Sequence, residues 1–306
     1  MALNHAFLIT AHAYPEQLKD IIGLLSASNH YFFINIDRKA DWGKEFMDEN
    51  RSDHVCFLEG NERMEVAHGG YSQIAVTLRL LHAAYGMRGG ISYFHLISGQ
   101  DYPVHPNLKF DEFFERNEGR SFMAFENEEY HRECMKNKYP SRVLPYYFCD
   151  IPHRDNGLVN LLVRTLNFVS KRIWWRKPIP ELWGGWNWFS WHRSLVKFVI
   201  EQEESNVAFF KRFHHTCCAD ELIFQTLFHG HENELDIDGK HPLRYINWQK
   251  KVEGRSHIGS PLTLNEDEYE DIINSGNFFC RKVHPDTSRK LLEMLRKNIT
   301  KEYKTK

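Results

Sequence analysis

Ala6-Phe7-Leu8-Ile9-Thr10 is an unbroken, largely apolar run of strand length and reads as a buried strand. Pro15 then opens a helix carried by Leu18, Ile21, Ile22 and Leu25 at helical spacing. Tyr31 to Ile36 reads as a second strand, ending at Asp37. Strand, helix, strand is how an α/β domain with a parallel sheet begins. Val55 to Leu58 gives a third strand, and Gly69-Gly70 precedes an amphipathic helix through Ile74, Leu78 and Leu81. Tyr93 to Ile97 is a further strand, followed by Ser98-Gly99-Gln100-Asp101. Ligands bind in loops beyond the carboxyl ends of such strands. Residues 1–125 are therefore expected to form a nucleotide-binding half.

The rhythm turns irregular from about Asn127 to Pro180. Leu158 to Val169 looks helical and runs into Lys171-Arg172-Ile173-Trp174-Trp175-Arg176-Lys177. Trp183, Trp186, Trp188 and Trp191 then cluster around Gly184-Gly185. The last third holds a helix starting near Asp220-Glu221, a strand-like Leu243 to Trp248, Phe278 to Lys282, and a helix from Thr287 to about Ile299. No internal repeat, low-complexity tract or linker divides the chain. One domain over 1–306 is expected, with 126–306 as its acceptor and catalytic half.

Hydrophobic residues at 42% and charged residues at 26% describe an ordinary globular chain able to bury a core. A net charge of −2 argues against a general nucleic-acid binder. The six cysteines show neither a disulfide framework nor a CxxC pair, which suits reduced thiols in the cytosol. Met1 leads straight into a strand, with no signal-peptide pattern and no apolar segment of spanning length. The expected location is cytoplasmic, including the inner face of a membrane.

In Cys217-Cys218-Ala219-Asp220-Glu221-Leu222-Ile223-Phe224 an acidic pair starts an apolar run. A carboxylate in a first helical turn lies near the positive end of the helix dipole, fixed in direction, as a general base needs. The plainer alternative is an N-cap on a core helix.

Four segments then stand in order: Ile36-Asp37-Arg38-Lys39-Ala40-Asp41, Leu96-Ile97-Ser98-Gly99-Gln100-Asp101-Tyr102-Pro103, Ala219-Asp220-Glu221, and Phe279-Cys280-Arg281-Lys282. Together they resemble glycosyltransferase family 14, the core-2/I-branching β-1,6-N-acetylglucosaminyltransferases and the peptide O-xylosyltransferases. The resemblance runs from about His5 to Leu295, and Arg244-Tyr245-Ile246-Asn247-Trp248 looks closer to the xylosyltransferase side. It implies a GT-A type α/β fold with a central, mostly parallel sheet flanked by helices. It implies inverting transfer from a UDP-sugar, UDP-GlcNAc first and UDP-xylose as the alternative, to the hydroxyl of a glycan or glycolipid acceptor, with no cofactor and no metal. The position of Glu221 is that of the general base, Arg281 and Lys282 match the residues that hold the diphosphate, and Asp37 matches a carboxylate near uracil or ribose. Asp101 and Arg244 are further donor-side candidates. On the acceptor side the candidates are Glu128, Glu129, Lys136, Arg142, Trp186 and Asn187. The missing membrane anchor suggests a bacterial enzyme of surface-polysaccharide synthesis.

This chemistry makes physical sense. In-line displacement at an anomeric carbon needs one base for the acceptor hydroxyl and positive charge for the leaving diphosphate. Arg281 offers a planar fork and Lys282 a point charge, together able to replace a divalent ion. One departure matters: Gly184-Gly185-Trp186-Asn187-Trp188-Phe189 stands where the xylosyltransferases resemble Gly-Gly-Ser-Asp-Trp-Phe. Asn187 cannot act as a base, which moves the expectation to Glu221. Asp37 and the Ser98–Asp101 segment have turn-capping alternatives, and Arg244 a structural one.

Two rivals remain. A metal enzyme would use His214, His215, Cys217, Cys218, His229 or His231, but no HExxH or zinc spacing supports it. Asp236-Ile237-Asp238 is a formal DxD, placed after the acidic helix, where a surface turn explains it. A non-catalytic carbohydrate-binding protein would explain the aromatics but not the basic pair beside strand-end acids. Finally, basic residues around Trp174 and Trp175 in Lys171–Lys177 suit contact with an anionic membrane, against a basic loop with its Trp in the core.

Overall fold

The computed structural model describes residues 2–151, 156–173, 175–255 and 259–301. The strands are β1 (His5–Ala11), β2 (His30–Ile36), β3 (Val55–Phe57), β4 (Tyr93–Ser98), β5 (Asp101–Pro103), β6 (Ser121–Phe125), β7 (Gly185–His192), β8 (Ile237–Asp238), β9 (Arg244–Ile246) and β10 (Phe279–Arg281). The helices are α1 (Pro15–Leu25), α2 (Gly43–Asn50), α3 (Ser72–Tyr85), α4 (Asn107–Arg116), α5 (Glu128–Asn137), α6 (Tyr139–Val143), α7 (Gly157–Ile173), α8 (Arg193–Ser205), α9 (Val207–Arg212), α10 (Ile223–Phe228), α11 (Tyr269–Asn274) and α12 (Arg289–Lys301).

Seven strands form the central sheet in the order β3-β2-β1-β4-β7-β6-β8. β1, β2, β3 and β4 run parallel, β7 is antiparallel to both its neighbours, and β8 is parallel to β6. The apolar runs follow from burial on two faces. Phe7 and Ile9 of β1 join a core with α1, α4 and α12, while Ala6 and Leu8 join a core with α3, α8 and α10. A strand covered on both sides leaves little room for polar positions. A second sheet, β5-β10-β9, closes one end.

β1 lies between β2 and β4, so the strand order reverses there and opens a crevice at the carboxyl ends. The Gly99 amide donates to Thr10 O at 3.0 Å and the Asp37 amide to Ala11 O at 2.7 Å, tying the three strand ends together.

Two expectations change. The acidic helix is instead a short 3-10 turn, Ala219–Glu221, followed by α10. Cys218 with φ 50° and Leu222 with φ −127° break helical geometry on either side. The Trp183–Trp191 stretch, read as an aromatic cluster, contains the central strand β7. Its pairing with β6 is interrupted by a register shift between Phe122 and Ala124, so no clean alternation marks it. Gly184 and Gly185 make this strand entry possible: a side-chain carbon on Gly184 would collide with the Tyr139 hydroxyl, and one on Gly185 with the Ala124 carbonyl.

Candidate active site

Antiparallel pairing of β5 with β10 sets Asp101 opposite Arg281. Asp101 is fully buried, and its carboxylate accepts the Ser98 amide at 2.8 Å, the Ser98 hydroxyl at 2.5 Å and Arg281 Nη1 at 3.1 Å. The Arg281 guanidinium lies 3.8 Å over the Trp188 ring. Burial pushes the Arg281 pKa down and Asp101 pulls it back up. Lys282 is also lowered, first by burial and then by Arg281, with Asp101 opposing. This end of the molecule thus holds positive charge that one buried carboxylate partly offsets.

Asp37 reaches the same edge of the sheet from β2. Its carboxylate accepts the Lys39 amide at 2.9 Å and the Val66 amide at 3.0 Å, with Lys39 Nζ at 3.6 Å. That is a turn-capping arrangement. Arg244 requires a correction. It is buried, and its two terminal nitrogens donate to Ser190 Oγ, Pro242 O, Leu96 O and Phe189 O. Burial pushes its pKa down to about 9, with Asp101 acting upward and Arg281 downward. It braces β4 and β7 behind the site rather than reaching a donor.

The acidic turn packs against β7 and α3. Glu221 is part-exposed, and its Oε2 accepts Arg142 Nη1 at 2.5 Å. Burial works against the Arg142 charge, but Glu221 more than offsets it and the pKa rises. Asp220 is buried, and its Oδ2 accepts Asn187 Nδ2 at 3.0 Å and Gln73 Nε2 at 3.3 Å. Its Oδ1 is buried without a hydrogen-bond partner. Burial, then the neighbouring Glu221, pushes the Asp220 pKa up to about 7, against Arg142 and Asn187. Consecutive residues of β7 therefore serve both groups: Asn187 holds the acidic turn and Trp188 underlies Arg281.

A family model for the Core-2/I-branching enzyme matches residues 5–273. The chain belongs to the Core-2/I-branching family. Human xylosyltransferase 2 is 22% identical over 310 residues, aligning 95% of this chain with 33% of its own. Xylosyltransferase sqv-6 of Caenorhabditis elegans is 22% identical over 298 residues, with 90% and 34% covered. The chain spans about a third of the length of these curated relatives. Among solved structures, the apo form of mouse xyloside xylosyltransferase 1 superposes over 93% of this chain and 98% of that one, at TM-score 0.42 and 12% identity.

In this Core-2/I-branching chain the acceptor-side expectations divide. Arg142 and Asn187 join the acidic turn, and Trp186 is half-buried at the start of β7, its carbonyl accepting Gln225 Nε2 at 2.7 Å. Glu128 and Lys136 are exposed on α5, with Glu129 beside them. The residues two positions away, Glu126 and Lys138, form the inward cluster: Tyr139 donates its hydroxyl to Glu126, and Lys138 Nζ lies 3.7 Å from Glu126. Sequence reading missed Glu126, Lys138 and Tyr139 because only the β6–α5 junction decides which carboxylate turns inward. It also missed Asp220 as the buried partner of Asn187.

The DxD segment lies at the sheet edge, where Asp238 caps its own turn by accepting the Lys240 amide at 3.0 Å. Among the described residues one group has metal-ligand spacing, His5, His30 and Asp111. It sits at the amino ends of β1 and β2, opposite the crevice. His30 is bonded at both nitrogens, to Leu25 O and to Asp111.

Proposed function

We propose that this chain is an inverting glycosyltransferase that moves a sugar from a UDP-sugar to a glycan hydroxyl. The observation that carries the reading is β7, whose Asn187 donates to Asp220, the neighbour of the part-exposed Glu221, while the next residue, Trp188, lies under Arg281 of the basic pair. Glu221 takes the acceptor proton, directed by Arg142. Arg281 and Lys282 meet the charge that develops on the leaving diphosphate, and the reaction needs no divalent ion for that purpose. The lowered Lys282 pKa fits this role: a diphosphate restores the charge that burial disfavours. The name of the curated relatives, xylosyltransferase, favours xylose as the sugar moved, and the resemblance to the branching enzymes favours UDP-GlcNAc.

The test is UDP release from a panel of UDP-sugars in excess EDTA, with wild type and Glu221→Gln side by side. Slow hydrolysis of one donor, undiminished by EDTA, is expected, as is loss of about a hundredfold or more in the variant with UDP binding intact. Turnover only with added Mn²⁺ would overturn the metal-free mechanism. A variant as active as wild type would remove Glu221 from the base position.

A further inference from the structure

Helix α7 carries its apolar face outward. Val163 and Ser170 are its buried side chains, and Ser170 Oγ accepts the Tyr146 amide at 2.6 Å. Asn167 Oδ1 accepts the Phe148 amide at 3.0 Å on the same inner side. Leu158, Leu161, Leu162, Phe168 and Ile173 point the other way, 56–81% exposed, and Trp175 just beyond is 67% exposed. A stripe of this kind normally turns to the core. Here the inner side carries Asn167 and Ser170 beside Val163, and the large apolar side chains face solvent.

The charge pattern selects the occupant. No acidic residue occurs from Gly157 to Pro180, and Arg164, Lys171, Arg172 and Lys177 are exposed. The Arg172 guanidinium lies 3.6 Å over the Phe168 ring, the stem along the apolar surface and the head at its edge. A second copy packed on the same face about a two-fold axis would bring like charges together. A surface of anionic headgroups over acyl chains accepts both the cations and the leucines. No helix among the described residues is long and apolar enough to cross a membrane, so contact of α7 with a bilayer would run along the helix. Trp174, part of the expected membrane segment, lies outside the described residues. Trp175 is not a core anchor.

We propose that α7 docks this protein on an anionic lipid bilayer. The helix is tied to the acidic turn by short links. The Tyr147 amide donates to His215 O at 3.0 Å, and the Cys217 amide to Arg142 O at 3.2 Å. Arg176 fixes the far end, donating to Pro145 O, Arg212 O and His215 O. On the glycosyltransferase reading, docking brings the Glu221 side of the site close to acceptors carried by lipid.

The experiment is co-sedimentation of the full chain with phosphatidylcholine vesicles, with and without phosphatidylglycerol, at low and high salt. Wild type is expected to pellet with the anionic vesicles and to be released by salt. Leu161→Ser with Phe168→Ser should weaken binding about tenfold or more. Arg164→Gln with Lys171→Gln should weaken it about tenfold and flatten the salt dependence. Both pairs lie on the surface, and unchanged melting temperature and UDP binding establish that they fold. Wild type that stays in the supernatant overturns the proposal, as do variants that pellet like wild type. A doubled mass in sedimentation velocity, lost in Leu161→Ser with Phe168→Ser and unaccompanied by vesicle binding, overturns it in favour of a dimer. UDP binding is measured without vesicles, so failure of the donor reading and failure of docking are seen separately.

Discussion

The two ends of the site are built on different terms. Asp101, fully buried, and Arg281, mostly so, are opposite residues of paired strands, set by register. Glu221 and Arg142 sit on a short turn and a short helix, part-exposed and held to each other by charge. On the proposed reading, the Asp101–Arg281 end meets a leaving diphosphate that is the same for every acceptor and every turnover, which suits a fixed cradle. On the same reading the Glu221 end meets an acceptor that must enter, be oriented and leave, which suits segments that a modest energy can shift. The lesson is that burial, more than residue type, separates the two ends: each has one carboxylate and one arginine in contact.

The strongest test of this contrast compares Asp101→Ala with Arg142→Ala. Asp101 is the carboxylate whose charge supports Arg244, Arg281 and Lys282. Its removal leaves buried cations facing one another and should cost about 3–5 kcal/mol of stability. UDP should restore part of the loss, because a diphosphate supplies the missing negative charge. Arg142→Ala removes a part-exposed, solvent-screened ion pair and should cost about 1 kcal/mol or less, while turnover falls. Thermal melts with and without UDP read both. Equal stability losses in the two variants would erase the distinction drawn here.

The second test concerns the acidic turn. The Asp220 pKa is about 7 when folded, against 3.8 for the free side chain. Between those values the folded protein keeps a proton that the unfolded chain releases. Stability should therefore fall as pH rises from about 4 to about 7, then level off. Asp220→Asn keeps an acceptor for Asn187 and removes this penalty. It should be more stable than wild type by on the order of 4 kcal/mol at pH 8, with the gap closing as pH falls toward 4. Melting curves at the two pH values decide it. A constant gap would mean that burial, not ionisation, sets the difference. Asn187→Asp should widen the pH effect, since it puts a second carboxylate against Asp220.

How much of this was legible in the sequence follows the same division. Strand ends in the parallel part were readable: Asp37 and Asp101 stand where apolar runs stop, and chain direction alone brings them to one edge. The α3 and α7 periodicities also gave their helices. What could not be read was β7, because a bulged strand with Trp, Asn and Ser mixed in carries no period. It is β7 that joins Asp220, the neighbour of Glu221, to Arg281. The turn at Cys218 was equally hidden, since Asp-Glu before an apolar run is a regular helix start and only φ 50° at Cys218 shows otherwise. Arg244 shows the opposite failure: its type suggested a phosphate ligand, and burial among carbonyl oxygens made it a brace. Glu126 against Glu128 turned on which of two nearby carboxylates faces inward, a choice that a loop geometry settles and composition does not.

Trp188 gives the smallest expected effect and the finest test of the contrast. Its ring lies 3.8 Å under the Arg281 guanidinium, and its backbone neighbour Asn187 holds Asp220. If the donor end is a fixed cradle, the ring's main task is to keep Arg281 flat and aimed, with Asp101 gripping one nitrogen. Replacing Trp188 with Leu keeps an apolar side chain but removes the π face. A partly desolvated cation–π contact is worth about 1 kcal/mol, so UDP should bind about fivefold more weakly to Trp188→Leu. Calorimetric titration of UDP measures this directly. The Asp220 pH effect should survive in the variant, because the β7 backbone still presents Asn187 to the acidic turn. A Trp188→Leu protein that binds UDP like wild type but loses the pH effect would reverse the assignment: the strand would serve the acidic turn first, and Arg281 would be held by Asp101 alone.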